Sequence, residues 1–224
     1  MKFAYADING YFDWEQPVIP TIIIENQSLF RKLLKDISSS INGIETNAVL
    51  SKNNSIIEFS KHAEILNDFI NFNINKKSLL NKICSSLEKR AISPEHYIET
   101  QKLLAEIENK IGLWSFDFSC NIISTKLSVS SIIKSVGIEI CDDYSNEVEE
   151  VEKIIDYMEL VREFECEKVF FTVNMRSFYN DEIIKNFIDT AISHEFKVLM
   201  IESYPHTLLK NEKRLTIDTD LCEF

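Results

Sequence analysis

Glycine and proline are scarce in this chain, with four of each among 224 residues. So little glycine leaves few tight turns and no phosphate loop: the pattern GxxxxGKS/T occurs nowhere. The five cysteines (Cys84, Cys120, Cys141, Cys166, Cys222) are scattered and form no CxxC pair. Their odd number and spacing argue against a disulfide framework or a zinc site and read as reduced thiols. The four histidines (His62, His96, His194, His206) make no HxH, HxxxH or HExxH pattern. Ser177 and Ser203 lack the flanking glycines of a nucleophile elbow. No apolar run approaches the roughly 18 residues of a membrane span, and the opening MKFAYADING has no signal-peptide core. A cytoplasmic location is expected.

Hydrophobic residues make up 45% of the chain, and fifteen Phe and seven Tyr supply large core side chains. The net charge is −12. Residues 141–165 hold ten acids against Lys153 and Arg162, so most of the negative charge sits in one segment. A protein acidic throughout repels nucleic acid; one with segregated charge still has room for a basic surface.

Lys168–Glu202 carries the clearest fold signal. Val169–Val173 is a short apolar run of strand length, and Val198–Ile201 is another. Between them Ile183, Ile184, Phe187, Ile188 and Ala191 fall at helical spacing behind Asn180 and Asp181, both candidate caps. Strand, helix, strand is a βαβ unit, which requires parallel pairing and two covered faces. The fold class is therefore α/β, with a mostly parallel sheet of phosphate-loop-protein topology but without the loop.

Elsewhere, strands are expected at Lys2–Ala6, Phe12–Trp14, Pro20–Ile24, Ala48–Leu50, Ile56–Phe59, Ala63–Leu66 and Leu215–Ile217. Asn26 should cap a helix reaching Ser38. Within 67–75, Phe69, Ile70 and Phe72 are expected to point inward. Lys76–Arg90 and a helix restarted at Ser93-Pro94 carry narrow apolar stripes and predict an antiparallel helical hairpin. Trp114–Phe118 and Ile138–Cys141 read as strands, Ser128–Val136 as a helix stopped by Gly137, and 146–164 as a long acidic helix. The expected organisation is an α/β head, 1–75 and 114–224, with a helical leg, 76–113, inserted in it.

No residue cluster names a reaction. Asn174, at the end of the Val169–Val173 run, is neutral where an ATPase would offer magnesium an acid. The acids from Asp142 to Glu150 lack the EF-hand glycine pattern and suit a helix N-terminus. Small basic groups (Arg31, Lys32 and Lys35; Lys76 and Lys77; Lys89 and Arg90; Lys210, Lys213 and Arg214) show no base-reading module. Any DNA contact should be to phosphates and independent of sequence.

Three stretches together resemble one family: PTIIIENQSLFRKLLKDI; SLLNKICSSLEKR followed by IENKIGLW; and VSSIIKSVGIEI followed by KVFFTVNMRSFYNDEIIKNFIDTAISHEFKVLMIES. In order and spacing they resemble the short form of the ring-forming CRISPR-associated Csn proteins of type II-A systems, which act in spacer acquisition. The resemblance implies an α/β head with a helical leg and a homotetrameric ring threaded by double-stranded DNA, especially at ends. It implies no nuclease or ATPase activity. The partners it implies are the adaptation integrase complex and the RNA-guided effector nuclease. It also implies calcium at the hinge between leg and head, where relatives carry a dense acidic run. Here the return reads WSFDFSCNIISTKLS, with Asp117 its one acid, so Asp117 and Asn121 are the candidate metal ligands left. Lys126 and Lys134, which flank the same hinge, and Lys52 are the candidate DNA contacts. A degenerate nucleotide-binding α/β enzyme and a structural oligomeric scaffold are the alternatives.

Overall fold

In chain order the elements are β1 (Lys2–Tyr5), β2 (Phe12–Asp13), β3 (Ile19–Ile24), α1 (Gln27–Ile41), β4 (Ala48–Lys52), β5 (Ser55–Ile56), α2 (Phe59–His62) and β6 (Ala63–Leu66). There follow α3 (Lys77–Ala91), α4 (Tyr97–Trp114), α5 (Val129–Val136), α6 (Glu147–Phe164), β7 (Val169–Val173), α7 (Asp181–Ser193), β8 (Lys197–Glu202) and β9 (Glu212–Ile217). The structure is a computed structural model describing residues 1–120 and 126–224. The chain divides into two compact units, 1–74 with 142–224, and 75–141.

The first unit is built on a parallel sheet in the order β6-β7-β8-β3-β9. Every residue of β3 and β7 is buried, as expected for strands covered on both faces. Register is set by pairs such as Thr21 with Met200 and Phe171 with Leu199. Pro20 cannot donate to a ladder; it is tolerated because pairing of β3 with β8 begins only at Thr21. Side chains alternate across the sheet. Phe171, Leu199 and Ile201 join Leu33 and Ile37 of α1 in one core.

A second sheet, antiparallel in the order β2-β1-β4-β5, closes that core with Phe3 and Leu50. The Phe3 and Phe171 rings meet edge to face at 4.9 Å, and Phe59 stacks on Phe171 at 5.9 Å. The β4–β5 turn is Asn53-Asn54, both at positive φ, the backbone a two-residue hairpin turn needs and that Asn tolerates. The opposite face is covered by α6, which buries Val151, Ile154, Ile155, Met158 and Val161, and by α7, which buries Ile184, Phe187 and Ile188. Asn26, Asn146 and Asn180 each accept backbone N–H bonds at the first turns of α1, α6 and α7. Each such cap stabilises its helix by about 1 kcal/mol.

The second unit contains α3, α4 and α5. It runs to Cys141, past residue 113, because α5 packs on α3 and because the Asn75 side chain clamps the Ile140 backbone. Asn75 Nδ2 donates to the Ile140 carbonyl at 3.0 Å, and Ile140 N–H donates to Asn75 Oδ1 at 2.6 Å. That clamp takes up the groups a strand at 138–141 would have used, and no strand forms there. None forms at 114–118 either. α4 continues through Trp114, and Trp114, Phe116 and Phe118 are exposed. α4 begins at Tyr97, after a turn in which the Ser93 carbonyl accepts Tyr97 N–H at 2.8 Å. In the first unit Phe69 and Phe72 are buried as expected, whereas Ile70 is exposed.

Candidate nucleic-acid interface

The connection from β3 to α1 is two residues, Glu25 and Asn26. A phosphate loop fills about eight, and its backbone N–H groups must stay open to the phosphates. Here Asn26 Oδ1 accepts Leu29 N–H at 3.0 Å, and Asn26 Nδ2 donates to the Thr219 carbonyl at 2.9 Å. The start of α1 is therefore closed by its own cap. At the end of β7, Asn174 is left-handed (φ 52°) and fully engaged. Its Oδ1 accepts from Ser203 N–H at 2.8 Å and Ser203 Oγ at 2.9 Å, and its N–H donates to the Ile201 carbonyl. This amide joins two strand ends.

Charge in the first unit is sorted by layer. On the α1 side Arg31, Lys32 and Lys35 are exposed on one helix. Lys32 lies 2.6 Å from Asp7, whose hydrogen bond raises the lysine pKa; Arg31 and Lys35 make no ion pair among the described residues. Lys52, at the end of β4, lies 2.8 Å from Glu167. On the far side of the parallel sheet α6 and α7 carry ten acids against three cations, Lys153, Arg162 and Lys185. Three exposed cations thus stand on α1, on the layer opposite the acidic helix.

Lys126 precedes α5 and Lys134 lies in its last turn; both are exposed. The Leu127 N–H beside Lys126 donates to Glu108 at 2.7 Å, which fixes the approach to α5. Asp117 is exposed, and Asn121 lies outside the described residues. Among the described residues no group of three acidic, histidine or cysteine side chains is placed to hold a metal. Calcium takes six to eight oxygen ligands, and Asp117 alone does not fit that need.

One cluster had no sequence signal. Arg176 is buried just after β7, and its Nη2 donates to Asp181 at 2.7 Å and to the Thr207 carbonyl at 2.8 Å. Its Nη1 lies 3.3 Å from Glu212, which Arg214 also holds, at 2.8 Å. Glu202 Oε1 receives the Arg176 backbone N–H at 3.3 Å; its Oε2 has no hydrogen-bond partner among the described residues and lies 3.6 Å from His206 Nε2. Burial pushes the Glu202 carboxyl up to about 7 and the His206 imidazole down. These groups tie the β8–β9 connection to the end of β7.

The family model for Cas_Csn2, a CRISPR-associated protein, matches residues 40–221. The chain belongs to the Cas_Csn2 family. A solved structure titled "Crystal structure of Stu0660 of Streptococcus thermophilus" is similar in fold, with a TM-score of 0.53 at 13% sequence identity. The similarity covers 92% of this chain and 69% of that one. A search of curated proteins gives no match. At that identity the Stu0660 likeness speaks for the α/β fold alone, and CRISPR association rests on the family model. Among the described residues no helix of this Cas_Csn2 protein is long and apolar enough to cross a membrane.

Proposed function

We propose that this Cas_Csn2 protein is a non-catalytic, sequence-independent binder of double-stranded DNA that assembles as a homotetrameric ring around DNA ends during CRISPR spacer acquisition. The observation that carries this reading is the sorting of charge by layer. Three exposed cations stand together on α1, whereas α6 and α7 carry ten acids against three cations, so the α1 side is the face that DNA phosphates can approach. The family membership supplies the biological setting. The two-residue β3–α1 connection and the engaged Asn174 speak against the degenerate nucleotide-binding alternative.

In this reading Lys52, Lys126 and Lys134 touch phosphates, joined by Arg31 and Lys35. The exposed apolar side chains Leu103, Ile107 and Ile111, spaced four apart on α4, suit a subunit contact in the ring. The adaptation integrase complex and the RNA-guided effector nuclease are its partners in the cytoplasm. Calcium is not needed to hold the return from α4, because that segment has one acid and little repulsion to relieve.

Fluorescence anisotropy of a labelled linear duplex across a salt series tests the proposal. Binding should be independent of sequence and should weaken steeply with salt, as counterion release requires. Absence of binding at about 50 mM salt, with and without calcium, would overturn it.

A further inference from the structure

The chain has two Asn-Gly pairs, Asn9-Gly10 and Asn42-Gly43. In such a pair the glycine nitrogen meets little obstruction in reaching the side-chain carbonyl carbon of the asparagine, because glycine has no Cβ. The fold decides which pair is free to close that ring. Asn42 is held at every point. It ends α1, and its Nδ2 and its backbone N–H both donate to the Ser38 carbonyl, at 2.8 Å and 3.2 Å. The Gly43 N–H donates to the Ser40 carbonyl at 3.0 Å. Ring closure there would break the C-cap of the helix.

Asn9 lies in the connection from β1 to β2, and both it and Gly10 are exposed. The chain leading to it is anchored. Ala6 N–H donates to the Asn47 carbonyl, Ile8 N–H to the Tyr5 carbonyl, and Asn9 N–H to Glu223 Oε1 at 3.0 Å. Past that point the anchoring stops. Among the described residues the Asn9 side chain and the Gly10 N–H make no hydrogen bond. Gly10 stands at φ 83°, and apart from its chain neighbours no atom lies within 4 Å of the place a Cβ would take. The nucleophile and the carbon it would attack are both unoccupied, on a segment free to turn.

We propose that Asn9 is a modification site, converted through a succinimide to aspartate and isoaspartate with water as the one other reactant. The Gly10 nitrogen bonds to the Asn9 side-chain carbonyl carbon. The bond from that carbon to the amide nitrogen breaks, and the amide leaves as ammonia carrying the Gly10 proton. Water then opens the ring at either carbonyl. One opening gives aspartate on an ordinary main chain; the other gives isoaspartate, with the main chain running through the side chain.

Either product puts a carboxylate on the residue whose N–H holds Glu223. Glu223 belongs to the C-terminal stretch, where Phe224 exchanges two backbone hydrogen bonds with Thr216 of β9. A cavity of about 410 Å³ is lined by Asp7, Lys32, Leu221 and Glu223, and Lys32 is already paired with Asp7. The new charge therefore meets like charges and no free cation among these lining residues, and it loosens the terminal stretch.

The test incubates the full folded chain in mildly alkaline buffer and follows the tryptic peptides 3–31 and 36–52 by mass spectrometry, with fragmentation to place each change. Asn9 should convert at least about tenfold faster than Asn42, the factor that loss of two hydrogen bonds gives. In urea the two rates should converge. Asn9→Gln should abolish the more anionic species that ion exchange resolves from the aged protein. That species should show faster amide exchange at Thr216 and Phe224, and Asn9→Asp should reproduce the effect. The proposal fails if folded Asn9 is stable, if it converts no faster than Asn42, or if the same ratio persists in urea, which would take the fold out of the selection. Unchanged exchange at Thr216 and Phe224 in the aged protein, or a change there that Asn9→Asp does not reproduce, would overturn the charge argument for the terminal stretch.

Discussion

Lys52, at the tip of the β4–β5 hairpin, holds Glu167 at 2.8 Å, just before β7 begins. The hydrogen bond from Lys52 pulls the Glu167 carboxyl below its usual range. A phosphate approaching Lys52 must therefore displace a carboxylate. Glu167→Gln should free the lysine and tighten binding of a linear duplex by roughly threefold at low salt, within the modest range of an exposed pair. Lys52→Ala should weaken binding and make the Glu167 substitution silent. Anisotropy titrations of the two single variants and the double variant check this cycle; unchanged affinity in Glu167→Gln would remove Lys52 from the DNA face.

Lys126 and Lys134 carry no such partner among the described residues. Lys126→Ala and Lys134→Ala should each lower affinity for every duplex sequence alike. Each should also reduce the slope of log K against log salt by about one. A loss confined to one sequence, or an unchanged slope, would take these lysines off the phosphates.

Glu202 gives a pH dependence with a definite sign. Its carboxyl is raised from an ordinary 4.5 to about 7 by burial, and the Arg176 guanidinium is engaged with Asp181, Glu212 and Thr207 instead. A raised carboxyl contributes stability that is fully present below about 4.5 and is lost as pH rises through about 7. Glu202→Gln is neutral throughout. It should match the parent near pH 5 and exceed its unfolding free energy by about 1–3 kcal/mol near pH 8. Urea unfolding at the two pH values measures this; a less stable Gln variant at pH 8 would mean that attraction to Arg176 outweighs burial.

Arg176 is the opposite case, a buried cation that shares its partners Glu212 and Thr207 with Arg214. Its side chain and that of Glu212 are each 1% exposed. Arg176→Met should cost about 1–3 kcal/mol, because Glu212 and the Thr207 carbonyl each lose one donor while Arg214 still serves both. Arg176→Lys should recover only part of this, since a single ammonium cannot serve Asp181, Glu212 and Thr207 together. Equal stability of the Lys variant would show that charge alone matters at this site.

Most of the first unit was legible because its strands are apolar runs and its helices have asparagine caps at the expected places. Asn26 and Asn180 both accept the N–H groups their positions implied. What stayed hidden depends on partners far apart in the chain. Arg176, Glu202 and Glu212 meet only because β7, β8 and β9 share one sheet. In the second unit, apolar residues at 114–118 looked like a strand, yet Phe116 and Phe118 are exposed and no strand offers them a ladder. Local propensity has no say where a pairing partner is missing. The segregation of charge was readable from composition, but the pairing of Lys52 with Glu167 was not.

Calcium should make little difference to this family member. Chelation with EDTA should leave the thermal midpoint and duplex affinity unchanged, because among the described residues no carboxylates join Asp117 in the group a calcium site requires. A drop of several degrees on chelation, restored by calcium but not magnesium, would show that ligands are recruited from elsewhere.

The most direct measurement is a gel shift with one duplex sequence in two forms, linear and covalently closed circular. A preformed ring that loads over DNA ends should shift the linear form at low salt and leave the closed circle free. Equal shifts of both forms would contradict threading and reduce the protein to a side-on binder. No shift of either would remove DNA from the account altogether.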